Sequence, residues 1–284
     1  MKIFVIIPVH NRLAHTQKIV EVLRNQEIFD QLKIIIIDDG SSDGTAEYLS
    51  LQNDLKTLRG NGNLWWAGAV ELGLRYILNE ASDVDFVLLL NDDTSFEADY
   101  LKLLVETAQA NPSAIIGSAL HEIGTNPSLV SLGALLNLNR IQVWDKLSTL
   151  NMAEREMPKA LYEVDALSGR GTLYPVYALK KYGGLIPKLL PHYLADYELS
   201  MRHKKNGMKL IVSTSAKIWS YPVYGNNSSR FSGISQYFSK GSPKNIIFIT
   251  IFYLRVGTIF QRITAPIRVC FFYSYRNIFL RRKL

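Results

Sequence analysis

An α/β protein built on a mostly parallel sheet is predicted by three apolar runs and by the polar cluster that ends each of them. Residues 4–7, 34–37 and 86–90 are unbroken aliphatic and aromatic stretches, the pattern of strands buried on both faces. Each stops at a turn-forming group: Pro8-Val9-His10-Asn11-Arg12, then Asp38-Asp39-Gly40-Ser41-Ser42-Asp43-Gly44-Thr45, then Asn91-Asp92-Asp93. Apolar residues at helical spacing come next, with Ile19, Val20 and Leu23 after the first cluster and Ala46, Tyr48 and Leu49 after the second. Strand–helix alternation with right-handed crossovers brings the three clusters to one edge of the sheet.

That edge is where ligands bind in open α/β sheets. Asp92 and Asp93 place two carboxylates at the mouth of a buried strand, and their desolvation calls for a partner. A divalent cation carrying a phosphate is one such partner. Oxygen donors of this kind suit Mn2+ or Mg2+, with diphosphate and water completing the shell. The alternative is a solvated Asp-Asp turn that caps the following helix. Five histidines with no His-x-x-x-His spacing, and a single cysteine, argue against zinc.

Five segments, at residues 6–11, 37–43, 89–93, 167–171 and 195–202, together resemble the inverting family 2 glycosyltransferases with the GT-A fold. They occur in the family's order over about three-quarters of the chain, roughly residues 1–215. The stretch around Trp65-Trp66 is most similar to bacterial rhamnosyltransferase-type enzymes of surface polysaccharide assembly. The resemblance implies a Rossmann-like, mostly parallel sheet flanked by helices, and transfer of a sugar from a UDP- or dTDP-sugar to a hydroxyl of a saccharide acceptor.

It also implies roles for individual residues. Asp93, the last acid of its motif, is the expected metal ligand, and Asp92 is expected at the ribose or just behind the metal. Asn91 stands where the family tolerates Asn. Asp38 and Asp39 are candidates for accepting the imide N–H of uracil or thymine, with Asp39 favoured and the other residue left to helix capping with Ser41, Ser42 and Asp43. Backbone at Pro8 and Val9, with Asn11 and Arg12, would complete the nucleotide pocket, while His10 serves as a packing residue or a ligand. Gly62 and Gly68 permit close backbone approach, and the helical pattern over residues 69–78 could aim its N-terminus at the diphosphate. Trp65 and Trp66 are candidates for stacking on a base or sugar, one of the two being core. Asp196, at the start of a helix, is the expected catalytic base, with Glu198 in reserve and a plain capping role as the alternative. The family often has a second acid before the base, whereas this chain has Ala195. Gly169, Arg170 and Glu198 are expected beside the donor sugar and acceptor. Many relatives carry a metal-binding histidine after the last core strand, and residues 219–227 contain none.

Composition adds a second theme. The chain has 284 residues, 48% of them hydrophobic, enough for one large core. Cys270 alone excludes an intrachain disulfide and fits a reducing cytoplasm. Residues 1–7 superficially suggest a signal peptide, but the apolar run is short and lacks a small-residue cleavage site, so it reads as the first strand. Residues 1–198 hold all 25 acids against 17 Lys and Arg, a formal −8, while residues 199–284 hold 15 Lys and Arg and no acid. Such asymmetry points to an anionic surface. In residues 246–284, arginines recur among bulky aliphatics and aromatics without an uncharged stretch long enough to span a bilayer. This predicts a basic amphipathic helix or pair of helices at a membrane interface, divided at Pro266. The alternative is a helical pair packed on the domain, or on a second copy in a homo-oligomer. Nucleic acid is disfavoured, because the basic residues are diluted by apolar side chains.

The expected organisation is a catalytic domain at 1–225, with a nucleotide half near 1–95 and an acceptor half near 96–225, followed by a tail at 226–284. The expected place is cytoplasmic, peripheral on the inner face of the cell membrane, with a lipid-linked saccharide as acceptor. Two other readings compete: a catalytically silent sugar-nucleotide-binding protein, and a sugar-phosphate nucleotidyltransferase. The latter would want a glycine-rich phosphate loop after the first strand, where this chain has Pro8 to Arg12.

Overall fold

Strand–helix alternation is realised as expected in the computed structural model, which describes residues 1–123, 128–220 and 233–275. In chain order the elements are β1 (Ile3–Val9), α1 (Leu13–Arg24), β2 (Leu32–Asp38), α2 (Thr45–Ser50), β3 (Leu55–Arg59), α3 (Trp65–Leu78), β4 (Phe86–Leu89), β5 (Thr94–Ser95) and α4 (Tyr100–Ala110). There follow β6 (Ala114–Glu122), β7 (Leu129–Ser131), β8 (Ala134–Asn137), β9 (Gln142–Asp145), α5 (Met152–Glu156), β10 (Leu161–Glu163), β11 (Thr172–Pro175), α6 (Val176–Tyr182), α7 (Ala195–Lys205), β12 (Lys209–Ser220), α8 (Ile246–Val256) and α9 (Ile259–Tyr275).

The main sheet runs β10-β12-β6-β11-β4-β1-β2-β3, with β5 paired to β12 and β7 to β6. The neighbours β4, β1, β2 and β3 are parallel, so their polar C-terminal clusters emerge side by side. Alternation along the strands serves both faces. Phe4, Ile6, Ile35 and Ile37 enter the core beneath α3, α6 and α7, while Ile3, Val5, Ile7, Ile34 and Ile36 enter the one beneath α1 and α4.

One of the reversed strands matters for the site. β11 lies antiparallel between β4 and β6, with Thr172 opposite Leu89 and the Gly171 N–H donating to the Leu89 carbonyl at 2.9 Å. The start of β11 therefore meets the end of β4, which delivers residues 168–171 to the ligand edge. At the same edge β12 closes over the loop after Asp93, pairing Ser220 with Thr94.

The C-terminal helices form as expected, with α8 in the alternative arrangement and the division between them displaced. α8 is packed on the domain: Ile249, Phe252, Tyr253 and Val256 are buried against Ala134, Ala166 and Met201. The division falls at Gly257–Thr258 rather than at Pro266, which lies inside α9. A capping box explains the position. The Gln261 Oε1 accepts from the Thr258 N–H at 2.9 Å and the Thr258 Oγ from the Gln261 N–H at 3.4 Å, so α9 starts there. Pro266 deprives only the carbonyl of Arg262, an exposed position open to solvent. The expected boundary near residue 225, the stretch 221–227 and the basic residues Arg276, Arg281, Arg282 and Lys283 lie outside the described residues.

A buried ion cluster ties the tail to α7. The Glu198 Oε1 accepts from Arg202 Nε at 3.1 Å and from Arg255 Nε at 2.7 Å, and its side chain is 3% exposed. Removing the acid leaves two guanidinium groups facing each other in a partly desolvated site. Glu198→Ala is expected to cost about 3 kcal/mol in urea unfolding. Arg255→Met is expected to cost less than half of that, because Arg202 keeps the carboxylate paired.

Candidate active site

The ends of β4, β1 and β2 build the site by cross-bonding their loops. Asn11, at φ 51°, accepts from the Ser42 N–H at 2.7 Å and donates its own backbone N–H to Ser41 Oγ at 2.9 Å. His10 Nδ1 lies 2.6 Å from the Asp39 carbonyl. A carbonyl only accepts, so the proton sits on Nδ1. Asp43 spans two helix starts, accepting from the Leu13 N–H and from Thr45. Asp38 Oδ1 accepts from the Ser41 N–H at 2.9 Å, which makes Asp38 the turn-forming member of its pair.

Asp39 reaches across to the next loop. Its Oδ1 accepts from the Gly62 N–H at 2.8 Å, and its Oδ2 from the N–H groups of Leu64 and Trp65 at 2.9 and 3.2 Å. Helix α3 thus begins at Trp65, four residues before the expected start, with an anion already on its N-terminal N–H groups. The expectation that this helix end would face a diphosphate is corrected: Asp39 occupies it. Gly60 is needed because a Cβ there would lie 2.4 Å from Asp39 Oδ1.

Asp92 and Asp93 are 4% and 2% exposed, and the partner their burial demands is Arg12. Its Nη1 is 3.0 Å from Asp92 Oδ1 and 3.2 Å from Asp93 Oδ2. The outer oxygens, Asp92 Oδ2 and Asp93 Oδ1, are buried and accept no hydrogen bond from any described residue. Burial pushes the Asp92 carboxyl up to about 7, against the pull of Arg12 and with a push from Asp93. Two orphaned carboxylate oxygens fit a hard divalent cation. The described residues contain no group of three or more His, Cys, Asp or Glu that could hold a metal ion.

Next to these acids is a cavity of about 340 Å³ lined by Pro8, Val9, Arg12, Asp39, Gly62, Trp66 and Asp92, with His10, Trp65, Ala69 and His192. Trp66 connects it to the far side of the site. Its Nε1 donates to Asn91 Oδ1 at 3.0 Å, and its ring lies against Gly169, where a Cβ would sit 2.1 Å from Cζ2. The Gly169 N–H in turn donates to Asp196 Oδ2 at 2.9 Å, while Asp196 Oδ1 accepts from the Tyr197 N–H. Burial raises the Asp196 pKa, while these N–H groups and the charge of Arg170 act the other way. Arg170 lines a smaller neighbouring cavity with Ser118 and Tyr197.

Glu198 does not join the site. It faces Arg202 and Arg255 on another side of α7 from Asp196, which corrects its expected role beside donor and acceptor. Trp65, 39% exposed, is the pocket's open wall and stacks obliquely on His192, ring centres 5.8 Å apart. No sequence pattern singles out His192, although it stands four residues before Asp196. Burial lowers its pKa.

Two expectations arise from this geometry. Asp92 holds a proton in the folded chain that the unfolded chain releases, so metal-free stability should fall as pH rises from about 4 to about 7. The loss should be on the order of 2–4 kcal/mol, and Asp92→Asn should flatten the slope in urea titrations across that range. Gly169→Ala should displace the Trp66 ring, costing about 1–3 kcal/mol and shifting tryptophan fluorescence.

Comparison with known proteins agrees with this layout. Residues 4–181 match the sequence profile of glycosyl transferase family 2. The poly-beta-1,6-N-acetyl-D-glucosamine synthase of Staphylococcus epidermidis is 25% identical over 206 residues, covering 69% of this chain and 47% of the relative. The GalNAc(5)-diNAcBac-PP-undecaprenol beta-1,3-glucosyltransferase of Campylobacter jejuni is 30% identical over 122 residues, covering 43% of this chain and 39% of the relative. The chain therefore spans less than half the length of these curated relatives. Among solved structures, S. aureus TarS 1–349 in complex with UDP-GlcNAc superposes with TM-score 0.62 at 14% identity, over 98% of this chain and 73% of that one. GalNAc-T7 with UDP, GalNAc and Mn2+ gives 0.67 at 15% identity, over 88% of this chain and 47% of that one. These likenesses establish a GT-A type fold, and the profile match, running over well more than half of the sequence, establishes that the chain belongs to glycosyl transferase family 2.

Proposed function

We propose that the protein is a metal-dependent, inverting glycosyltransferase that moves a sugar from a UDP- or dTDP-sugar to a hydroxyl of a saccharide acceptor. One observation carries the reading: Asp92 and Asp93 are adjacent buried carboxylates, each with an oxygen left without a hydrogen bond from the described residues, and Asp92 lines a cavity large enough for a nucleotide. Family membership supports transfer from a nucleotide sugar, and GalNAc-T7 is described with UDP and Mn2+.

Asp93, with Asp92 beside it, would hold Mn2+ or Mg2+, and the bound cation would supply Lewis-acid neutralisation of the departing diphosphate. Diphosphate and water would fill the positions that two carboxylates leave. Arg12 adds a second positive group at the same place. Asp39 keeps one lone-pair position on Oδ1 beyond its three backbone bonds, and it lines the cavity, so it can still accept a uracil or thymine imide N–H. Trp65 and Trp66 offer faces for stacking. The likeness around these two tryptophans to rhamnosyltransferase-type enzymes supports a deoxysugar on dTDP as one donor to test.

The acceptor hydroxyl oxygen forms its bond to the anomeric carbon as the bond to the diphosphate oxygen breaks, and its proton passes to Asp196. Burial strengthens Asp196 as a base, and its contacts with Gly169 and Tyr197 fix its direction. The Campylobacter relative's name specifies an undecaprenol-linked substrate, which supports a lipid-linked saccharide as acceptor, in polysaccharide or glycolipid assembly. That acceptor in turn favours a peripheral position on the inner face of the cell membrane. No helix among the described residues is long and apolar enough to cross one.

Calorimetric titration of UDP and dTDP into the protein, with Mn2+ and again with EDTA, tests the donor site. Metal-dependent binding of one or both is expected, and binding of neither by folded protein would count against the reading. Asp93→Asn should remove the metal dependence. Asp196→Asn should keep nucleotide binding and lose about 10²–10⁴-fold in turnover. Nucleotide binding by the unmodified protein with no turnover on any acceptor would favour the catalytically silent alternative.

A further inference from the structure

The tail helix α9 is built inside out for a protein in water. Gln261, Ala265 and Val269 face the domain and are buried. Ile259, Phe260, Ile263, Ile267 and Phe271 are each between 71% and 77% exposed, and Pro266 and Cys270 are exposed between them. On a 3.6-residue helix these seven positions fall within one arc of roughly 140°. Scattered exposed apolar side chains need no explanation, but a contiguous stripe of this kind marks a contact surface.

The stripe is held outward. Gln261 Nε2 donates to Asn139 Oδ1 at 2.7 Å, and Arg268 Nη2 donates to the carbonyls of Leu138 and Asn139. These bonds fix the inner face of α9 on the turn between β8 and β9, so the helix cannot roll to bury Ile263 and Ile267. α8, by contrast, buries Ile249, Phe252, Tyr253 and Val256 on the domain and leaves only Ile247 and Leu254 exposed among its large apolar side chains, at 50% and 41%.

Charge identifies what covers it. Residues 257–284 contain six Lys and Arg and no acid, and exposed Arg262 lies beside the arc. A second copy seated on the stripe would oppose this positive segment with an identical one. A surface that is apolar beneath and anionic above complements both properties. We infer that the outward face of α9, residues 259–271, lies in the interface of an anionic lipid membrane, with α9 parallel to the surface. This narrows the peripheral position proposed above from the whole tail to one helix face. Its failure is separable from failure of the glycosyl-transfer reading, because nucleotide binding is measured on the same samples.

The test is co-sedimentation of the full chain with phosphatidylcholine vesicles, with and without phosphatidylglycerol, at low and high salt. The protein should partition onto phosphatidylglycerol-containing vesicles, and salt should weaken the binding. Ile263→Asp combined with Ile267→Asp should lower partition by about tenfold or more, with far-ultraviolet circular dichroism and Mn2+-dependent UDP binding unchanged. Ile263→Ser with Ile267→Ser serves if the charged pair lowers expression. Three outcomes overturn the inference: no partition of the unmodified chain onto either vesicle, equal partition of the variants, or a dimer in sedimentation velocity that the variants split while vesicles bind neither.

Discussion

Everything at the ligand edge depends on burying two adjacent carboxylates at the end of β4. Such a pair is unstable in isolation, and the chain answers it with the guanidinium of Arg12, carried in from the end of β1. The charges are offset on one side only. Each carboxylate keeps an oxygen turned away from Arg12 and left without a hydrogen bond from the described residues, a cost that a folded protein tolerates where a ligand completes the site. The raised pKa of Asp92 expresses the same cost in another form.

Around this centre the loops are locked to one another more than to the sheet. Asn11 holds the loop after β2, Asp39 holds the start of α3, and Trp66 on α3 reaches Asn91 on one side and Gly169 on the other. Gly169 then holds Asp196. The run of contacts from the acids at the end of β4 to the candidate base passes through one indole ring. This gives Trp66 two functions that need not be separated, as a cavity wall and as the spacer that sets where Asp196 stands.

Much of this is legible in the sequence, for identifiable reasons. Buried parallel strands must be continuously apolar, and the clusters that end them must be polar, so β1, β2 and β4 and their loops can be placed directly. Partner choice is what a sequence does not disclose. Nothing local distinguishes Asp39 as an acceptor of three N–H groups from a residue that binds a base, and nothing local shows that Glu198 turns toward Arg255, 57 positions away. Pro266 reads as a helix break because proline removes an N–H. The stronger local signal is Thr258 with Gln261, a start motif three residues apart. A lone histidine such as His192 carries no pattern, and its meaning comes only from the ring of Trp65 beside it.

The ion cluster around Glu198 bears on how the tail can be handled. Helix α7 carries Asp196 in its first turn and Glu198 two residues on, so the helix that orients the candidate base is also the one that grips Arg255. Cutting the chain before α8 would strip Phe252, Tyr253 and Val256 from Ala134, Ala166 and Met201 and leave Glu198 with half its counter-charge. The tail is therefore no detachable module, and a shortened chain would hold α7 differently rather than leave the domain unchanged. Grafting another protein's tail onto this domain would have to reproduce that arginine and its apolar neighbours to keep α7 in place.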